Sequence, residues 1–300
     1  MRFLPLLPIL LLAISGCRLH AGAPERPQPV VAGYSQDVEV DSERGRIRIT
    51  ELTRGLENPW SLALLPDGDM LVSERPGRLL KLDAKGNLLA QIEGLPTIFV
   101  DGQAGLLDVV PAPDFASSKL VYLSFAKPNL RGNLAGTAVF RARLEGNALV
   151  DGKVIYEQEP KLSSGTHVGS RLVFDGRGHL FVTQGENNKR PTAQDLDKLQ
   201  GKLVRLNLDG SIPADNPFVG REGVRPEIWS YGHRNMQGGA LNPWSGQVWT
   251  SEHGPKGGDE INIPEAGKNY GWPIITYGIN YNGEAIPEAS GTSAPGMEQP

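Results

Sequence analysis

Cysteine is almost missing from this 300-residue chain. The single one, Cys17, excludes an intrachain disulfide and a thiolate zinc cluster. An excess of positive charge is missing too. With 30 basic against 34 acidic side chains the net charge is -4, and the basic stripe that binds nucleic acid is not there. Aromatic residues make up only 7 %. There is no long amphipathic helical pattern, only a short candidate at Thr192–Leu199. The apolar run from Phe3 to Ile14 is too short to span a bilayer.

What is present begins with that run. A basic start, a short apolar stretch and small residues read as a secretory signal over residues 1–17. The segment Ile14-Ser15-Gly16-Cys17 resembles the bacterial lipobox, which makes Cys17 the expected lipidation site and the periplasmic face of a bacterial membrane the expected location. Cleavage after residues 21–23 would instead release a soluble periplasmic protein. Residues 18–45, rich in proline, alanine and charge, are expected to be a flexible tether. Residues 46–300 are expected to form one domain, opening with a strand at Arg46–Leu52.

Within that domain the 37 glycines and 24 prolines are spread out, as they are when many short strands are joined by turns. Residues 58–74 read as strand, Pro66-Asp67-Gly68 turn and strand. The pattern returns at 105–125, 170–183 and 239–252, each time with apolar alternation on both sides of a turn. Self-similar units at such a period predict an all-β chain, a β-propeller of four-stranded blades, with a β-sandwich as the weaker alternative. Four units are legible. Trp60, Trp244 and Trp249 fall at repeat positions and are expected in core or inter-blade packing.

Polar chemistry collects in the turns, with the richest stretch at residues 230–272. Arg234 beside Asn235 offers a fork of donors next to an amide. Gly254 and Pro255 lie in a turn without bulky side chains, able to present backbone carbonyls to a hard cation. His167 sits in a Gly-Thr-His-Val-Gly turn. Imidazole suits proton abstraction, yet a turn histidine commonly makes only a structural hydrogen bond. Trp272 lies near the same end, where its ring would suit stacking on a bound ligand. The polar run Glu186–Arg190 reads as solvated loop, and His179, His233 and His253 as structural.

Five blocks carry a family resemblance: residues 101–108 (DGQAGLLD), 165–175 (GTHVGSRLVFD), 200–206 (QGKLVRL), 232–238 (GHRNMQG) and 251–262 (SEHGPKGGDEIN). In this order they resemble the soluble sugar dehydrogenases dependent on pyrroloquinoline quinone (PQQ), the glucose/sorbosone or aldose sugar dehydrogenases. The resemblance implies a six-bladed propeller whose last blades lie beyond this sequence, with PQQ and calcium at one end of its axis and oxidation of aldoses at the anomeric carbon. It implies that His167 is the catalytic base and that Arg234 and Asn235 contact PQQ. Gln103 would lie near cofactor and substrate, and Thr166 would touch the sugar where some members carry an acid. Met236 replaces a common proline. Gly254 and Pro255 would ligate the PQQ calcium. Asp259 and Glu260, with the carbonyl of Tyr270, would form a second, structural calcium site.

The expected partners are an aldose and a quinone or dye-like electron acceptor, with no nucleic acid, membrane contact only through a lipid anchor, and a monomeric or homodimeric state. Two other readings fit an exported propeller with a polar mouth: a calcium-stabilised lactonase or esterase, and a non-catalytic polysaccharide binder. A neutral lactone gives no reason for an Arg-Asn pair, which argues against the hydrolase.

Overall fold

The computed structural model describes residues 32–300; the signal segment and Cys17 lie outside them. The chain first forms a hairpin of β1 (Ala32–Ser42) and β2 (Gly45–Arg54). The tether expected at 18–45 is thus corrected in its described part, which is strand. Val38 and Val40 stand opposite Ile49 and Ile47, a cross-strand apolar set that favours pairing over a loose chain.

Four antiparallel sheets follow. The first holds β3 (Pro59–Leu64), β4 (Met70–Glu74), β5 (Arg78–Leu82) and β6 (Leu88–Gln91). The second holds β7 (Leu106–Pro111), β8 (Leu120–Pro128), β9 (Ala135–Glu145) and β10 (Ala148–Glu157). The third holds β11 (Leu172–Phe174), β12 (His179–Thr183), β13 (Lys202–Asn207) and β14 (Ile228–Tyr231). The fourth holds β15 (Met236–Leu241), β16 (Val248–Glu252) and β17 (Glu260–Asn262). Spatial order equals chain order in each, so these are the meandering blades of a β-propeller. The four repeats in the sequence are these four blades.

The turns form where their chemistry requires. Gly68, at φ +91°, closes the β3–β4 hairpin by donating to the Leu65 carbonyl at 3.0 Å. Blade faces meet in successive apolar layers. Leu71, Leu79, Leu106, Leu123 and Phe125 fill the layer between the first two blades, and Tyr122, Val139, Leu180, Val204 and Ile228 the next. Covered on both faces, β7 and β8 read as nearly continuous apolar runs.

One ionic cluster ties all four blades together. Arg171 bonds Asp108 Oδ1 at 2.8 Å and the Gln237 carbonyl at 3.2 Å, and lies over the Trp60 ring at 4.4 Å. Asp108 also accepts from Ser61 Oγ at 2.6 Å and from the Leu172 amide at 2.8 Å.

Two further expectations are corrected. The helix expected at Thr192–Leu199 is a single 3-10 turn, Arg190–Ala193, started by Pro191. Trp244 and Trp249 are 91 % and 37 % exposed, because Trp244 sits in the β15–β16 turn and Trp249 on the face of β16 that no described layer covers. Trp60 is half-buried, as expected of a packing residue.

Candidate active site at the propeller mouth

Topology gathers the polar turns at one end. Gln103, His167 and Arg234–Asn235 each precede the first strand of a blade (β7, β11 and β15). Antiparallel pairing brings the β12–β13 link, with Glu186, and the β16–β17 link, with Gly254–Asp259, to the same end. Loops on a rigid sheet scaffold are where chemistry is best placed.

His167 is held on every side. Its backbone, at φ +48°, donates N–H to Gln103 Oε1 at 2.8 Å. Its Nδ1 lies 2.7 Å from Glu186 Oε2, and its Nε2 lies 3.3 Å from Arg234 Nη2. A carboxylate only accepts and a guanidinium only donates. The ring therefore carries its proton on Nδ1, with the lone pair of Nε2 facing Arg234. Glu186 is fully buried, and its Oε2 also accepts the Asn188 amide at 2.7 Å. The reading of Glu186 as a solvated loop residue is therefore corrected. It is the residue that orients the histidine, and only the tertiary pairing reveals this.

Arg234 is anchored by its own amide, which donates to Glu252 Oε2 at 2.6 Å. Its Nη1 donates to the carbonyls of His253 and Gly254, at 2.8 and 2.7 Å, and its guanidinium lies 5.4 Å from the Trp272 ring centre. His233 is structural, as expected: fully buried, with Nε2 on Ser230 and Nδ1 on Glu252, both at 2.9 Å. His179 is likewise paired with Asp175 at 2.8 Å, and His253 with Gln237 at 3.1 Å.

A cavity of about 210 Å³ opens here, lined among others by Thr166, His167, Glu186, Arg234, Pro255 and Trp272. Of the residues named from sequence, Asn235 serves it from behind: it is buried, and its Oδ1 accepts the Gly169 amide at 3.1 Å, fixing the His167 turn. Gln103 is exposed beside His167. Trp272 is 5 % exposed, closer to a wall than to an open stacking platform.

The donor set fits an anionic ring cofactor and a hard cation. Three buried atoms on cavity residues make no hydrogen bond within the protein: Arg234 Nε, Trp272 Nε1 and Glu186 Oε1. Two are donors, one of them on a cation, which suits an anion bearing several oxygens. The His253 and Gly254 carbonyls already converge on one positive charge, that of Arg234. A Cβ on Gly254 would collide with the carbonyl oxygens of Gly257 and Gly258, so only glycine fits this close turn.

The expected second cation site is less assembled. Asp259 Oδ1 caps the Gly254 amide at 2.8 Å. Glu260 shares the Asn262 amide with Glu252, each at 3.1 Å, and burial together with the Glu252 charge pushes its carboxyl up to about 7. Glu252, buried and bonded to His233, and the half-buried Glu260 are neighbouring carboxylates whose combined charge a divalent cation would neutralise. Tyr270 joins this group through its ring, which stacks on His233 at 4.8 Å, and its hydroxyl is pushed up to about 12 by burial.

Comparison with known proteins bears on the family and the fold. Residues 56–300 match the family profile described as Glucose / Sorbosone dehydrogenase. The chain is 55 % identical over 257 residues to aldose sugar dehydrogenase YliI of Escherichia coli (strain K12), covering 85 % of this chain and 69 % of that protein. It is 33 % identical to quinoprotein glucose dehydrogenase B of Acinetobacter calcoaceticus, over 73 % of this chain and 51 % of that one. Among solved structures, the apo-form of the Escherichia coli soluble aldose sugar dehydrogenase superposes with a TM-score of 0.79 at 56 % identity, over 82 % of this chain and 71 % of that one. The PQQ-bound aldose sugar dehydrogenase of Streptomyces coelicolor superposes with a TM-score of 0.66 at 30 % identity, over 86 % and 71 %.

Proposed function

The chain belongs to the Glucose / Sorbosone dehydrogenase family. On that premise we propose that it oxidises the anomeric carbon of aldose sugars to the lactone, using PQQ and calcium, with His167 as general base. The observation that carries the reading is the fixed tautomer of His167. With Nδ1–H committed to Glu186, the lone pair of Nε2 is available to take a proton.

In the reaction the C1 hydroxyl of the sugar replaces the Arg234 guanidinium as the partner of Nε2 and gives up its proton there. Glu186, buried at 2.7 Å, stabilises the imidazolium as it forms. The bound quinone supplies the two-electron acceptor for the hydrogen leaving C1. Arg234 and Trp272 would hold that group, Arg234 as the cation facing its oxygens. Gly254 and Pro255 would offer carbonyls to calcium, and Gln103 and Thr166 would contact the sugar. Export through residues 1–17, with Cys17 as lipid anchor, is part of the proposal. Cys17→Ser should move the protein from the membrane fraction to the soluble periplasm, and an unchanged distribution would remove the anchor.

The deciding experiment is aldose-dependent dye reduction by the purified protein, with and without PQQ and calcium, beside His167→Ala. Activity that requires both additions and is lost in the variant is the expected result. Dye reduction unaffected by PQQ, or retained in His167→Ala, would overturn the reading.

A further inference from the structure

The rim of the cavity carries an aromatic ring that the reaction above does not use. Exposure falls steeply from rim to floor: Tyr281 is 73 % exposed, whereas Arg234 and Trp272, lining the same cavity, are 7 % and 5 %. The backbone beneath Tyr281 is nevertheless well anchored. The Asn280 amide donates to the Glu284 carbonyl at 2.8 Å and the Gly283 amide to the Asn280 carbonyl at 2.9 Å, closing the turn. Ile279 and Lys256 exchange amide–carbonyl bonds at 3.2 and 3.0 Å, which ties the turn to the loop bearing Gly254. Arg190 donates to Asn280 Oδ1 at 2.5 Å from the opposite wall. Below, Ile286 is buried against Ala193 and Trp272. An exposed ring on a fixed base can bind a ligand with little ordering cost.

Building on the aldose reading, we infer that Tyr281, flanked by Arg190 and Asn280, is a platform for the second ring of a reducing disaccharide. Oxidation requires C1 of the first ring to face Nε2 of His167 on the cavity floor. A second sugar joined through O4, across the ring from C1, therefore leaves toward solvent, where Tyr281 stands. The C–H face of a pyranose lies flat on an aromatic ring, and its edge hydroxyls take donors and acceptors at the sides. Arg190 supplies donors there, and Asn280, whose Oδ1 accepts from Arg190 and whose Nδ2 donates to the Ala285 carbonyl at 2.8 Å, holds it in place with one lone pair and one N–H to spare. Arg190 is already countered by Glu288 at 3.4 Å, so the rim presents donors with little net charge. That favours a neutral sugar over a phosphorylated one.

The test compares glucose and maltose as substrates for wild type, Tyr281→Ala and Tyr281→Trp, with PQQ and calcium present. Maltose binding to the cofactor-free proteins is measured beside it by calorimetry, where no oxidation occurs. Tyr281→Ala should lower the maltose-to-glucose ratio of kcat/KM about tenfold, chiefly through KM, and weaken calorimetric maltose binding similarly. Tyr281→Trp should restore both. An unchanged ratio in Tyr281→Ala, with glucose still oxidised, overturns the platform and leaves the aldose reading standing. Wild type that oxidises neither sugar overturns the aldose reading and the platform with it.

Discussion

Replacing Glu186 by Gln isolates the charge behind the base from its geometry. The Asn188 amide donates to Glu186 Oε2 at 2.7 Å, so a glutamine is steered to place its carbonyl oxygen there and its NH₂ where Oε1 now makes no bond. That orientation still accepts the His167 Nδ1 proton, so tautomer and ring position are retained. What disappears is a full negative charge beside the imidazolium that forms as the sugar proton transfers. For charges about 4 Å apart at an effective dielectric of about 20, the interaction is roughly 4 kcal/mol, equivalent to about a thousandfold in kcat. This lies within the roughly 10²- to 10⁴-fold span of general base catalysis. Steady-state dye reduction at saturating aldose reads kcat, and quenching of tryptophan fluorescence reads PQQ binding separately. The expected result is a kcat loss of that order with PQQ affinity within about twofold of wild type, and with Glu186→Asp intermediate. A kcat within about threefold of wild type would refute the argument, because the carboxylate would then not be coupled to proton transfer.

Other outcomes follow from the same structure. Asp108→Ala removes the anion that Arg171, Ser61 and the Leu172 amide share, and should cost about 3 kcal/mol in denaturant unfolding, at the low end for a buried pair because Arg171 keeps some water contact. Gly254→Ala drives a methyl group into the Gly257 and Gly258 carbonyls and should abolish calcium-dependent PQQ binding while leaving the blades folded by circular dichroism. Glu260, pushed up to about 7, binds a proton in the folded state that the unfolded chain releases near pH 4.3, so the metal-free protein should lose stability as pH rises from about 4.5 to 7. Calcium, which competes with that proton, should raise Tm more at pH 8 than at pH 5. Glu260→Gln should remove the difference, and an equal shift at both pH values would refute the assignment.

The blades were legible because their turns have chemistry of their own. Pro66-Asp67-Gly68 and the Asp175-Gly176 turn punctuate apolar alternation, and both halves of that signal are local. The hairpin at β1 was less legible because its alternation rests on two valines, Val38 and Val40, amid charged residues. The candidate base His167, Arg234 and the glycine turn were singled out through the resemblance more than through residue chemistry, which left His167 as an ordinary turn histidine. Glu186 escaped both. Its neighbours Asn187, Asn188, Lys189 and Arg190 give it the composition of a surface loop, and its burial arises from contact with His167, 19 positions earlier. Trp244 and Trp249 failed in the opposite direction, because Trp244 falls in a turn and Trp249 on a strand face that no described layer covers.

The backbone around the site is held in unusual conformations by the protein's own hydrogen bonds. Among the described residues, four of the seven non-glycine residues with positive φ, His167, Ser170, Asn187 and Asn188, lie in the two turns that meet at the His167 ring. Such conformations cost on the order of 1 kcal/mol or more apiece and persist only where surrounding bonds over-determine them. Those bonds are visible: Gln103 holds the His167 amide, Asn235 the Gly169 amide, Thr183 the Ser170 amide and Glu186 the Asn188 amide. The two turns also approach so closely that a Cβ on Gly185 would strike the His167 carbonyl. Strain concentrated in this way is not needed to support blades whose apolar layers are already continuous. It holds one imidazole nitrogen, one carboxylate and one guanidinium in a fixed order, the order that the proposed proton abstraction requires.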